Sequence, residues 1–393
     1  MSDVETKPTP PPPADGQTAP VAEGPEPSAA GGARPAMIAI GIAGLVLTCW
    51  FLGNLFLAFA YKPGWFFDSK ILIGVIALVA GVGGAYVLFF FLNMAIEGLP
   101  QKTAERVYPY AYLLPGLGLI TLMLLYPTVQ TINYSFANAD STEYIGFDNY
   151  VDIFGDSEFR ISIFNNLLWL LIVPVVTVLL GLMVAVLSDK LSARGEKISK
   201  STIFLPMAIS FVGASTIWNL VYDYSSGDQQ IGLLNAIWTT LGGSPQAWLD
   251  ISTGRLNSIL LMVILIWLQV GFAMILLSSA IKGVPEDTIE AARIDGATEW
   301  QIFMQVVVPQ IKGTLITVFI TVVILVLKVF DIVYVLKGQG RDKTNVIANL
   351  FFNELFANDQ AGRASAVVVV LLVLVLPVLW YQVRHFRAEE ANR

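Results

Sequence analysis

Charge is what this sequence has least of. Only 13% of its 393 residues are Asp, Glu, Lys or Arg, while 55% are hydrophobic. A soluble domain carries roughly 25% charged residues. The deficit implies that much of the chain faces lipid rather than water. The formal net charge is -7, so nucleic acid is not an expected partner. Cysteine occurs once, as Cys49 within an apolar stretch. A single thiol excludes a disulfide framework and a thiolate metal site. Histidine also occurs once, as His385 near the polar C-terminal end, which excludes multi-histidine zinc or iron centres. No cofactor and no metal are expected. The ordinary reading of both residues is structural: a small apolar filler and a surface side chain.

What is present is a series of long apolar runs behind a polar start. Residues 1–35 are rich in Pro, Ala, Gly and acids without apolar periodicity. They cannot bury enough surface to offset ordering entropy and are expected to be a disordered tail. No basic segment followed by a short apolar core marks a signal peptide. A membrane-spanning helix needs ~20 mostly apolar residues. That rule gives about eight candidates: Met37–Tyr61, Ile71–Ile96, Tyr110–Phe136, Ile161–Ser188, Ser201–Tyr222, Asn257–Ile281, Gly313–Leu336 and Ala364–Val383. Pro115 and Pro127 are expected to interrupt the third. The fifth is unusually polar, with Pro206, Ser210, Ser215, Thr216 and Asn219. Backbone groups in lipid must be satisfied internally, and runs such as AVVVVLLVLVL lack the alternation of a membrane barrel. The expected fold is therefore an all-α polytopic membrane protein. Its expected divisions are a tail over 1–35, two N-terminal spans over 36–108 and a core over 109–393. Lys and Arg favour cytoplasmic termini, with Lys102, Arg106, Lys190, Arg194, Lys197, Lys200 and Lys282 among the residues placed inside.

The segment between the sixth and seventh candidates, residues 282–312, is too polar to span and too patterned to be slack. Pro285 followed by Glu286 and Asp287 is a good helix start, since acids there complement the helix dipole. Gly296 offers a stop or sharp bend. Trp300, Phe303, Met304 and Val307 then recur at three- and four-residue spacing, as on an amphipathic helix. Pro309 is expected to end it.

Glu290-Ala291-Ala292, then Asp295-Gly296-Ala297, Trp300, Phe303 and Pro309 resemble the EAA loop of permease subunits from bacterial ABC importers. YPTVQTINYSF followed by GFDNY, and LKVFDIVYVL, are similar to sugar permeases of the maltose type. NVIANLFFNELF followed by GRASA is similar to the alpha-glucoside permeases. The resemblance is best from Tyr110 to Arg387. It departs at Lys337-Gly338-Gln339-Gly340-Arg341, where relatives often carry a Thr-Gly-Gly-Gly-Pro turn. It implies an inner-membrane machine in which this chain pairs with a second homologous permease. Two copies of an ABC ATPase would lie beneath, and a periplasmic or lipid-anchored binding protein would deliver the sugar. The helix from Thr288 to Gly296 would dock on one ATPase, with Glu290 and Asp295 as polar anchors and Ala291 and Ala292 allowing close approach. The permease itself would hydrolyse nothing. The nearest imitation of a phosphate-binding loop, Gly338-x-Gly340-x-x-Lys343-Thr344, has Asp342 in place of the second glycine.

Polar groups inside spans often line pathways. The candidates are Asn165, Asn166, Ser210, Asn219, Gln269, Lys328 and Asp331, with Trp218, Trp267, Phe272 and Tyr334 as aromatic neighbours. The resemblance places Gln269 at the wall of the translocation path. Lys328 and Asp331 are three apart and are expected to pair on one helix face. Ser and Asn can instead bond across helices. A secondary carrier would also have many spans, but it should show paired repeats with broken helices, and no convincing internal repeat is visible. A membrane-embedded enzyme would need an acid–base pair or metal cluster, and Asp331 is the only acid deep in a candidate span.

Overall fold

The computed structural model describes residues 33–225, 231–338 and 342–391. Most of the expected tail, the turn residues Gln339 to Arg341 and the His385 side chain lie outside the described residues. Apart from one isolated bridge between Ala137 and Tyr144, every regular element described is helical. The chain divides into two compact units, Met1–Leu125 and Tyr126–Arg393.

The first unit holds α1 (Pro35–Tyr61), α2 (Lys70–Glu97) and α3 (Gln101–Ile120). α1 and α2 form a hairpin that approaches closely through glycine. A Cβ at Gly41 would lie 2.6 Å from the Ala95 nitrogen, and one at Gly44 would enter the Phe91 ring. Asn93 of α2 accepts from the Tyr108 and Tyr112 hydroxyls of α3 at 3.3 and 3.2 Å. α3 runs through Pro109 and Pro115. Pro115 therefore does not interrupt it, because local adjustment can re-satisfy the freed carbonyl. The backbone instead widens to a π-turn at Thr121–Leu125, just ahead of Pro127, which has no N–H to give.

The second unit begins with α4 (Tyr126–Tyr134), α5 (Asp148–Gly155), α6 (Ser157–Asp189), α7 (Ala193–Phe204), α8 (Phe211–Val221), α9 (Leu233–Thr240) and α10 (Leu256–Lys282). It continues with α11 (Glu286–Ile294), α12 (Glu299–Ile302), α13 (Val308–Gln310), α14 (Lys312–Leu327), α15 (Asp331–Lys337), α16 (Ile347–Phe356) and α17 (Ala361–Ala391). By length and composition, six helical runs among the described residues can cross a membrane. Two bent pairs raise the number to eight: Ala193–Ala208 with Phe211–Val221, bent by 104°, and Glu299–Gln310 with Lys312–Leu327, bent by 70°.

Two expected straight spans are thus broken. The one read as Ser201–Tyr222 stops in a tight turn at Leu205–Ala208, which holds Pro206, and restarts at α8. Ser210 caps that restart, its hydroxyl accepting from the Gly213 N–H at 3.1 Å. The one read as Gly313–Leu336 ends at Leu327, and α15 begins at Asp331. The sixteen residues of α14 reach only about 24 Å at 1.5 Å per residue, short of the ~30 Å hydrocarbon layer.

α10 is the central helix. Within its apolar window 56% of residues are buried, against 28% for α6. Leu261, Met262, Leu265 and Leu268 of α10 pack with Trp169 and Val173 of α6 and with Val322 and Val326 of α14. Small residues set the spacing. A Cβ at Gly181 of α6 would come 2.5 Å from Cβ of Ala273, and one at Gly271 would come 2.4 Å from the Ile203 carbonyl oxygen. In lipid, where apolar surface has no water to escape, such close backbone approach is what associates helices.

At the end bearing Ser157, Leu256 and Ala361, polar side chains lash the connection between α15 and α16 to the bundle. Asn165 donates to the Lys343 and Asn345 carbonyls at 2.8 and 2.7 Å, and Arg255 donates to Asn165 and to the same Lys343 carbonyl. Asn166 accepts from the Ile347 N–H at 2.8 Å. Lys337, although buried, reaches Asp250 and Asp342 at 2.8 and 2.6 Å. Replacing Gly181 by Leu is expected to force α6 from α10 and to destabilise the unit by about 1–3 kcal/mol. A lowered melting temperature of the purified protein in detergent checks this. An unchanged melting temperature would show that the contact is not tight.

Candidate functional site

The two helix breaks come together beside α10. Ser210 and Phe211 at one break, Gln269 and Leu268 on α10, and Leu325 and Asp331 at the other break line a cavity of about 490 Å³. A second cavity of about 250 Å³ is lined by Phe211, Leu265, Lys328, Phe330 and Asp331. Both include Phe211, Leu325 and Asp331. The larger falls in the ~300–1,000 Å³ range of small-molecule sites.

The chemistry of the wall follows from the breaks. Gln269 is only 6% exposed, and its amide has no hydrogen-bond partner among the described residues. The side chain lines the cavity, where its amide can bond to a polar guest or water. Lys328 follows the last residue of α14, and Asp331 opens α15. Each charge complements the dipole of its helix end, which is why both are tolerated there. They are not a pair on one helix face, as their spacing suggested, because the helix that would align them ends between them. Among the described residues no ion pair joins them. Of the other candidates, Asn165 and Asn166 are committed to the scaffold described above. Phe272, one turn beyond Gln269, lines neither cavity. Trp218 packs against Trp267 and Tyr222, with ring centres 5.7 and 5.2 Å apart. Tyr334 packs against Phe330 and Phe352 at 5.1 and 5.0 Å.

The polar loop lies at the far end of α10. Pro285 precedes the first turn of α11, which carries Glu286 and Asp287. The chain then turns at Gly296, whose φ of +84° favours glycine. Thr298 and Gln301 form a capping box that starts α12. α11 rests on a small core of Val284, Ile302, Val307 and Ile311 through Ile289 and Ala292. Its other face is open: Glu290, Ala291, Arg293 and Asp295 are exposed, and Ile294 is 86% exposed. Arg293 donates to Glu299 across the corner at 2.9 Å, and this carboxylate holds the guanidinium pKa above its ordinary value.

The second half of the loop departs from a single amphipathic helix. α12 lasts four residues, a π-turn spans Phe303–Val307, and α13 follows. The π-turn changes the phase of the side chains. Ile302 and Val307 are buried, whereas Trp300 and Met304 face outward. Pro309 does not end the helix. It lies in the first turn of α13, and the bend comes after Gln310.

Comparison with known proteins decides the family. Residues 177–388 match the model of the binding-protein-dependent transport system inner membrane component. The chain is 43% identical over 339 residues to the alpha-glucoside transport system permease protein AglF of Rhizobium meliloti, covering 82% of this chain and 99% of that one. It is 50% identical over 283 residues to the osmoprotective compounds uptake permease protein GgtC of Synechocystis, covering 72% and 100%. A chain in the crystal structure of a bacterial alginate ABC transporter with its alginate pentasaccharide-bound periplasmic protein has the same fold, with TM-score 0.61 and 23% identity over 71% of this chain and 94% of that one.

The chain belongs to this family.

It is an inner-membrane permease component of an ABC import system. Of the residues singled out in the sequence, Ser210, Gln269 and Asp331 line the larger cavity, together with Phe211 and Leu325, which were not singled out. Phe211 had a signal, since Pro206 and then Ser210 mark a stop and a restart. Leu325 had none, being one apolar residue in an apolar run. Ile294 was also missed, although it directly precedes the Asp295-Gly296 corner. A Gly296→Val substitution adds about 1–2 kcal/mol of left-handed strain at a corner where a Cβ meets no neighbour. Membrane insertion is expected to survive while ATP-driven uptake by the assembled transporter falls. Uptake at the unsubstituted rate would show that the corner's conformation is immaterial.

Proposed function

We propose that this permease imports alpha-linked glucosides, forming half of a translocation path with a second homologous permease. In this reading its termini are cytoplasmic. α11 docks on one of two ATPase subunits, and a sugar-binding protein delivers the substrate from the outside. ATP hydrolysis belongs to the partners. The observation that carries the reading is the line from Gln269 in the cavity wall, along α10, to an α11 whose outer face is open. The named activity of AglF and the EAA-like residues Glu290, Ala291, Ala292, Asp295, Gly296 and Pro309 support it.

The cavity chemistry suits a sugar. Phe211 offers an apolar surface for the C–H face of a pyranose. Ser210, Gln269, Lys328 and Asp331 offer donors and acceptors for hydroxyls. α11 suits a protein cleft, because Ala291 keeps the outward face shallow and Ile294 supplies an apolar contact between Glu290 and Asp295. Movement of ATPases would then rock α10 with α11, exposing the cavity alternately to either side.

The test uses the complete transporter in proteoliposomes with ATP inside and the loaded binding protein outside. Uptake of alpha-glucosides that requires ATP is expected, and Gln269→Leu is expected to lower the rate by about threefold to tenfold, the worth of a hydrogen bond. Uptake by this chain alone without ATP would replace the reading with that of a secondary carrier. Transport of other solutes but no alpha-glucoside would overturn the substrate class.

A further inference from the structure

Five polar side chains meet where α6 and α10 end. Lys200 of α7 reaches Asp189 at the end of α6 at 2.8 Å and Glu196 one turn back at 2.5 Å. It also contacts the Ser278 hydroxyl of α10, which in turn donates to Asp189 at 2.9 Å. Lys282, the last residue of α10, contacts Glu196 and stands 3.8 Å from Asp189. The Lys200 and Asp189 side chains are only 15% and 19% exposed, and Ser278 is buried. One ammonium group therefore holds three helices.

Two further observations show that this is more than a staple. The second oxygen of Asp189, Oδ2, is buried and unpartnered. A static ion cluster would be expected to satisfy it. Lys282, which holds Glu196 and is 51% exposed, approaches the other oxygen of this carboxylate, Oδ1, at 3.8 Å. Lys282 thus has two acceptors within reach, one engaged and one half-engaged. Lys282 is also joined to α11 by only Gly283, Val284 and Pro285, and Val284 is buried in the small core beneath α11. Displacement of α11 would pull on Lys282 and alter its distances to the two carboxylates. Two discrete arrangements of a packed polar group are what amplify a small shift into a helix movement.

We infer that Asp189, Glu196, Lys200, Ser278 and Lys282 form the joint that passes movement of α11 into α6 and α7, with Lys200 as the positioning residue at its centre. This rests on α11 being the ATPase contact. The joint acts on coupling and touches neither sugar nor nucleotide. Lys200→Met removes the charge and nearly preserves shape, Lys200→Arg restores the charge, and Ser278→Ala removes only a hydroxyl.

The experiment compares these variants in the complete transporter, measuring copurification with the ATPase, basal ATP hydrolysis, melting temperature and sugar delivered per ATP. Lys200→Met is expected to keep copurification and basal hydrolysis but to lower sugar per ATP by about tenfold, and Ser278→Ala by about threefold, within the range of single coupling residues. Lys200→Arg is expected to recover most of the ratio. A lower melting temperature with an unchanged ratio would overturn the inference and leave a staple. If Lys200→Met fails to insert, Ser278→Ala decides alone. Failure of the α11 reading looks different: Glu290→Lys would leave copurification and stimulated hydrolysis intact, removing the basis of the joint whatever Lys200 does.

Discussion

The close approach of α6 to α10 is the contact on which the rest of the second unit depends. Gly181 against Ala273 lets the two backbones nearly touch, and Gly271 does the same for α7. With α10 held on both sides, its 27 residues act as one rod. Gln269 and Ser278 are nine residues apart on it, about 13 Å at 1.5 Å per residue. A rod of that length carries a rotation from its loop end to the cavity wall with little loss, because packed interiors deform very little. A looser α10 would let the loop move while the wall stayed still.

Polar side chains in this bundle have three distinct fates. Asn165, Asn166 and Asn257 fix the connection between α15 and α16 by bonding its backbone or reaching across to it. Lys200, Asp189 and Ser278 bond to one another at the opposite end, with one oxygen of Asp189 left over. Lys328 and Asp331 at a helix break, and Gln269 beside it on α10, are left over. The third group is recognisable only by subtraction, since amides and charges of the same kinds serve as mortar elsewhere. The breaks themselves create the difference. A helix end removes backbone partners and leaves room, so a polar side chain there has space in front of it rather than a neighbour.

The long spans were legible because apolar length is a direct demand of the bilayer, and α1, α2, α6, α10 and α17 lie close to where that demand places them. The breaks were not. Apolar content continues smoothly through Leu327, Val329 and Phe330, and hydropathy does not register that Lys328 ends a helix. The corner at Gly296 was legible because one residue type adopts that backbone easily. The phase of Trp300 and Met304 was not, because a π-turn shifts side chains without changing composition. The joint at Lys200 was hidden for another reason. Its members come from three places in the chain, and only Glu196 and Lys200 stand at a spacing that suggests a pair. In sequence, Lys200 and Lys282 read as markers of the cytoplasmic side, and nothing in their spacing shows their mutual geometry.

The interrupted helices at Ser210 and Lys328 have a consequence for selectivity. Each interruption releases peptide N–H and C=O groups that an unbroken helix would have consumed internally. Where such groups border the cavity, they are present whatever side chains surround it. A wall built this way offers generic hydrogen bonding to any hydroxylated guest and leaves discrimination to a few side chains. In the proposed path, drift at Gln269 or Asp331 would change which guest is preferred more readily than it would abolish passage; the relatives are named for cargoes as different as alpha-glucosides and osmoprotective compounds.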